Sequence, residues 1–263
     1  MDLMLTGKIA LITGASRGLG FATARHLAQE GAMVVLNSRN SEKLSAAAHQ
    51  IEQETHLPVL ALPGDVIDPK TPEHLINQIK QQFGTLDILI ANAGGPPPGP
   101  FDSFDDAAWY KAIDLSFMSQ VRLIRAALPL LKQSSSASVL TITSYSVKQP
   151  IPNLVLSNSV RAATVGLTKT LALELGNQGI RFNSILPGWT ETERVGELMA
   201  QRAAANHTTI EEELSKQIKD SPLGRMATPD EFARVAVFLV SPAASYLTGV
   251  MLPVDGGMLK GTL

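Results

Sequence analysis

Short runs of consecutive apolar residues alternate along the chain with helix-length amphipathic stretches. The runs lie at residues 9–13, 33–37, 59–62, 87–91, 138–143 and 180–186, with a last one near 250–254. Their apolar residues are mostly adjacent rather than alternate. That is the pattern of strands buried on both faces of a parallel sheet. Between them lie helix-length segments at 18–30, 41–55, 71–83, 105–132, 153–176 and 229–240. Ser41 before Glu42, and Thr71 with Pro72, mark helix starts. The strand–helix alternation predicts an α/β fold, a doubly wound parallel sheet of about seven strands with helices on both faces and right-handed crossovers.

No internal repeat or linker interrupts this rhythm, so residues 1–263 read as one domain. Two segments stand out. The Pro-rich GGPPPGPF at 94–101 falls between a strand and a helix. It is either a stiff connector or a rigid rim on a ligand pocket, since loops at strand carboxyl ends line the crevice of such sheets. The polar, helical stretch at 191–220 follows the sixth strand and reads as a lid-like insertion over that pocket.

Composition narrows the function classes. Of 263 residues, 44% are hydrophobic and 17% charged, enough for a large core and unlike a disordered chain. The net charge is −2 and no basic run occurs, which argues against a nucleic-acid partner. Cysteine is absent, which excludes disulfides, thiolate metal sites and a cysteine nucleophile. The five histidines show no metal-ligand spacing, so no metal is expected. The first residues lack the basic and apolar regions of a signal peptide, and no apolar segment reaches the roughly 18 residues of a membrane span. A cytoplasmic protein without a membrane partner is the expectation.

The chemistry begins after the first strand. Thr13-Gly14-Ala15-Ser16-Arg17-Gly18-Leu19-Gly20 joins that strand directly to a helix. Gly14 permits the turn, Gly18 lets backbone amides approach a pyrophosphate, and Gly20 lets the helix pack on the sheet. Ser16, Arg17 and Leu19 complete the cradle, and the helix N-terminus faces the anion with free N–H groups. A Rossmann-type dinucleotide site follows. Strand two would normally end in a carboxylate for the ribose 2′-hydroxyl. Here it reads Asn37-Ser38-Arg39. Arg39, next to Ser38 and aided by Arg17, can grip a 2′-phosphate bidentately, so NADP(H) is expected over NAD(H).

The TGASRGLG spacing resembles that of the short-chain dehydrogenase/reductase family, and motifs along nearly the whole chain agree. Asn92-Ala93-Gly94 is similar to the family's motif after strand four. Asp65-Val66 is similar to its adenine-contacting pair, and Pro187-Gly188 through Thr192 to the segment along the nicotinamide and pyrophosphate. The branch most resembled is that of 3-oxoacyl-(acyl carrier protein) reductases. The resemblance implies hydride transfer on a small carbonyl, acyl or alcohol substrate, by a homodimer or homotetramer. It also implies that the helices at 105–132 and 153–176 pair between subunits, with Leu123, Ile124, Leu128, Val165, Leu167 and Leu171 as surplus apolar positions.

The family's tetrad of Asn, Ser, Tyr and Lys is met here at one position in four. Ser144 matches the serine. The tyrosine position, thirteen residues on, is Ser157; the lysine position is Arg161; the asparagine position is Ser116. A serine alcohol is a far weaker acid than a phenol, though Ser157 can donate a hydrogen bond to a developing oxyanion; the Arg161 guanidinium stays protonated and relays no proton, but can hold the nicotinamide ribose hydroxyls. Tyr145, next to Ser144, is a substitute proton donor if it swings into the crevice, and a packed aromatic if it does not. The sequence therefore points to an NADP(H)-dependent oxidoreductase with a degenerate tetrad. The alternative is an NADP(H)-binding protein without turnover, a sensor or an assembly partner.

Overall fold

A computed structural model describes residues 1–262. Seven strands form one parallel sheet: β1 (Ile9–Thr13), β2 (Met33–Ser38), β3 (Leu60–Pro63), β4 (Ile88–Ala91), β5 (Ser138–Ile142), β6 (Arg181–Pro187) and β7 (Met251–Val254), in the order β3-β2-β1-β4-β5-β6-β7. The order reverses beside β1 and β4, the point at which doubly wound sheets open a ligand crevice. Every residue of β1, β4 and β5 is buried, as their continuous apolar runs require. Asp87 fastens the opposite end of the sheet. Its carboxylate accepts from Ile9 N at 2.9 Å and from Ser134 Oγ at 2.5 Å.

Helices cover both faces. On one side α1 (Gly18–Gln29), α2 (Ser41–Thr55) and α9 (Pro229–Val240) close a core through Leu27, Leu44 and Phe232. On the other, α3 (Thr71–Phe83), α5 (Ser119–Leu131) and α6 (Val155–Leu175) close a second through Leu75, Leu123 and Ala172, around Phe182 of β6. The single helix expected at 105–132 is instead α4 (Asp106–Ile113), a π-helical turn at Asp114–Met118, and α5. Such turns are local insertions that often mark functional positions. Helix α6 begins at Val155, two residues later than expected. Asn153 ahead of it has a positive φ of 59°, and its carbonyl accepts from Gly99 N at 2.7 Å.

The insertion at 191–220 is helical, as α7 (Glu193–Asn206) and α8 (Ile210–Ile218). Its corner is held by Glu213, only 2% exposed. One carboxylate oxygen accepts from Lys216 Nζ at 2.6 Å, Thr208 Oγ1 at 2.8 Å and Asn206 Nδ2 at 3.2 Å. Lys216 first, then Thr208 and Asn206, hold the carboxyl down at about 2, against an ordinary 4.5. Because the folded value is the lower one, the anchor is complete above pH 4.5 and is lost as pH falls through about 2. Glu213→Gln should loosen the corner at neutral pH, seen as several-fold faster amide exchange in α8 with the sheet unchanged. Equal exchange in both proteins would refute that role. Among the described residues no helix is long and apolar enough to cross a membrane.

Candidate active site

The loop between β1 and α1 is shaped by close approach. Gly14 and Gly18 sit at positive φ of 59° and 60°, which glycine adopts without strain. A Cβ on Gly14 would lie 2.8 Å from Asn92 Nδ2, and one on Gly20 would lie 2.4 Å from the Gly14 carbonyl oxygen. Helix α1 opens with no side-chain cap and no acidic residue in its first turn. Its first N–H groups therefore lack intrahelical partners and face the crevice with the positive end of the helix dipole. This is a cradle for a pyrophosphate, and the loop residues fit a dinucleotide.

Asn92 braces the cradle. Its backbone exchanges hydrogen bonds with Thr13 Oγ1 (Asn92 N donating at 2.9 Å, Asn92 O accepting at 2.7 Å), and its side chain donates to the Gly14 carbonyl at 3.3 Å. Ala93 follows it half-buried, and Gly94 stands in open space with nothing within 4 Å of a notional Cβ. At the end of β2, Ser38 Oγ donates to Ser16 Oγ at 2.9 Å, linking the loops that follow β1 and β2. Asn37 spends its amide on the Leu62 and Gly64 carbonyls at 2.9 and 3.1 Å. Arg39 is exposed and makes no ion pair among the described residues. Asp65 turns the chain after β3 by accepting from Ile67 N at 3.1 Å, with Val66 half-buried beside it.

Arg17 departs from its expected role. It pairs with Glu193 and with Glu197 at 3.3 Å, both on α7, so the phosphate loop is tied to the lid-like helices. Two carboxylates one turn apart on the same helix face draw its guanidinium away from a 2′-phosphate. Thr192 caps α7 by accepting from Val195 N, and its methyl group lies 3.6 Å from the position of a Gly18 Cβ. Gly188, after Pro187, is required by packing, since a Cβ there would meet Asp255 Cα at 2.7 Å.

Of the four positions that the resemblance matches to the tetrad, Ser144 and Arg161 meet at the end of β5. Ser144 caps the short turn after that strand by accepting from Ser146 N at 3.1 Å. Arg161 reaches across from α6, and its Nη1 donates to the carbonyls of Ile142 at 3.1 Å and Thr143 at 2.9 Å. Ser157 lies one turn earlier on the same face of α6, half-buried. Thr164, one turn later, donates to the Ser116 carbonyl at 2.9 Å. Ser116 sits in the π-helical turn, and its own hydroxyl is buried without a partner. Burial first, and the neighbouring Arg194 second, lower the Arg161 pKa to about 10, so it remains a cation at neutral pH.

Tyr145 does not swing free. It is 8% exposed and packs with Trp189, Leu186, Leu198, Met199 and Met258 under α7. Burial, and secondly the charge of Asp220, push its phenol pKa up, which makes it a poorer acid. Extended geometry at Ser144 already sends neighbouring side chains to opposite sides. Sequence reasoning missed Thr164 and Arg194, and the bracing role of Thr13. Thr13 and Thr164 are ordinary strand and helix residues by pattern. Arg194 acquires meaning only from where α7 lands.

With this geometry in place, comparison with known proteins is specific. A family model described as enoyl-(acyl carrier protein) reductase matches residues 14–259. The 3-oxoacyl-[acyl-carrier-protein] reductase of Chlamydia muridarum is 30% identical over 98% of this chain and 100% of its own. The L-sorbose reductase of Gluconobacter frateurii, solved with NADPH and L-sorbose, superposes with a TM-score of 0.94 at 32% identity, over 99% of this chain and 100% of that one. An NADPH-bound short chain oxidoreductase of Pseudomonas aeruginosa PAO1, described as containing an atypical catalytic center, superposes at 0.88 with 31% identity, over 97% of this chain and 98% of that one.

Proposed function

The chain belongs to the short-chain dehydrogenase/reductase family, and on that premise we propose an NADP(H)-dependent oxidoreductase that acts on a carbonyl or alcohol without the family's tyrosine. One observation carries the reading: an intact phosphate cradle opens beside Ser144, Ser157 and Arg161. The NADPH-bound neighbours support the cofactor assignment. The backbone of Gly14 through Gly20 would hold the pyrophosphate. Ser38 and Arg39 would hold the 2′-phosphate, Asp65 and Val66 the adenine, and the 92–94 turn with Thr192 the nicotinamide end.

The bound nicotinamide supplies or accepts the hydride at the carbonyl carbon. The chain's own part is at the oxygen. The hydroxyls of Ser144 and Ser157 orient the carbonyl and donate hydrogen bonds as negative charge develops. Arg161, reaching from α6 to the end of β5, adds positive potential and holds its proton throughout. The proton that completes the alcohol comes from water or from the substrate itself. Helix α7, tied to the phosphate loop through Arg17, would close over the crevice.

A second reading, cofactor binding without turnover, draws on the same Arg161. Its Nη1 is engaged with the Ile142 and Thr143 carbonyls and not with a proton relay. The experiment is NADPH titration followed by NADPH oxidation over a panel of ketones and aldehydes. Turnover bears out the oxidoreductase. Tight binding with no turnover selects the sensor or assembly partner. Failure to bind NADPH overturns both.

A homodimer or homotetramer goes with this function. Five of the six surplus apolar positions do not form the expected outer face, and the sixth, Val165, is half-buried. Leu123 and Ile124 are core residues, and Leu128, Leu167 and Leu171 pack against that core. The outward face of α6 is instead Ala162, Ala163, Gly166 and Thr170, ending in Leu173 at 76% exposure. Small residues allow close helix pairing, and one exposed leucine adds apolar area. Leu173→Asp should shift the assembly toward monomer in sedimentation at micromolar concentration. An unmodified protein that is already monomeric there would contradict the pairing.

A further inference from the structure

Two guanidiniums converge on Gly95, the residue after the Asn92–Gly94 turn. A Cβ there would lie 3.6 Å from Arg161 Nη2 and 3.6 Å from Arg194 Nη2. The two arginines come from different elements, one from α6 and the other from the first turn of α7. Arg161 has no carboxylate partner among the described residues, and only Nη1 is spent on backbone carbonyls. Arg194 donates from Nη2 to the Pro96 carbonyl at 3.0 Å. Its nearest carboxylate, Glu197, is 3.9 Å away and is shared with Arg17. The two cations face one point and repel each other; burial first, and the charge of Arg194 second, lower the Arg161 pKa. An anion between them would turn that repulsion into attraction. Glycine at 95 leaves the space, and Gly94 beside it is open. Guanidinium geometry favours a planar carboxylate held by paired N–H donors. The cofactor's phosphates have their own cradle at the start of α1.

We propose that Arg161 and Arg194 form a carboxylate site over Gly95, and that the substrate is an oxo acid or hydroxy acid anchored there by its carboxylate. The identity of the anion as substrate rests on the oxidoreductase reading; the site itself does not. Calorimetric titration with butanoate and its neutral isostere butanamide, at equal ionic strength, tests it without turnover. NADPH-loaded protein should bind butanoate roughly tenfold or more tightly than butanamide, the scale of one charge-assisted hydrogen bond. Arg194→Gln should bring that ratio close to one, with butanamide binding as the internal check on folding. Equal affinities in the unmodified protein overturn the site. A butanoate preference that vanishes on NADPH loading assigns the anion position to the cofactor and overturns the substrate claim. A preference that persists where no ketone is turned over keeps the site and removes only the oxidoreductase reading.

Discussion

Ser157→Tyr combined with Arg161→Lys is expected to speed carbonyl reduction by roughly 10²–10⁴-fold, the usual value of general acid catalysis. Nothing at Ser116, Ser144, Ser157 or Arg161 can release a proton near neutral pH. A phenol has an ordinary pKa of about 10, and a neighbouring ammonium lowers it toward the working range. A tyrosine at 157 and a lysine at 161 would stand one helical turn apart on the same face of α6, which is the spacing this pairing needs. The lysine also lacks the guanidinium Nη1 that ties Arg161 to the Ile142 and Thr143 carbonyls. Single-turnover NADPH oxidation measures the gain, with NADPH affinity as the check that the site is still built. Tyr145→Phe serves as control. Its phenol is buried under α7 and should leave the rate where it was. A double variant that binds NADPH but reduces no faster would show that proton supply is not what limits this site. A large loss in Tyr145→Phe would make Tyr145 the donor.

Much of this molecule is legible in its sequence, and the parts that are not share a cause. Strands β1, β4 and β5 announce themselves because burial on both faces forces adjacent apolar residues. The phosphate cradle is legible because Gly14 and Gly20 answer to contacts within a short segment and its immediate packing. Ser157 and Arg161 are legible because the family resemblance sets their distance along the chain from Ser144, and helix spacing then puts the two one turn apart on a common face. The π-helical turn at Asp114–Met118 is not, since one extra residue per turn leaves no mark on composition or period. The outer face of α6 is misjudged for a related reason. Periodicity says which side of a helix is apolar, but not how far the core wraps around it, and Leu167 and Leu171 go to the core. Arg17 and Arg194 depend on where α7 comes to rest, a long-range placement that no local pattern encodes.

Arg39→Ala is expected to weaken NADPH binding by about 1–3 kcal/mol, roughly 5–150-fold, and to leave NADH binding nearly unchanged. The argument is one of elimination among cations. Two arginines lie near the ribose side of the cradle. Arg17 already answers Glu193 and Glu197, so a 2′-phosphate must compete with two carboxylates for it. Arg39 is exposed, has no ion pair among the described residues, and follows Ser38, whose hydroxyl is already joined to Ser16. It can turn its fork to a phosphate at no cost in broken salt bridges. No carboxylate stands at the end of β2 to repel that phosphate or to reward a free 2′-hydroxyl, because Asn37 is committed to the Leu62 and Gly64 carbonyls. Arg17→Ala should therefore cost less NADPH affinity than Arg39→Ala. The preference for NADPH over NADH should also shrink in molar salt, where an exposed guanidinium is screened within about 3 Å. Equilibrium titration of both cofactors against the three proteins decides it. Tighter binding of NADH than NADPH by the unmodified protein, or equal losses of both in Arg39→Ala, would remove Arg39 as the discriminating residue.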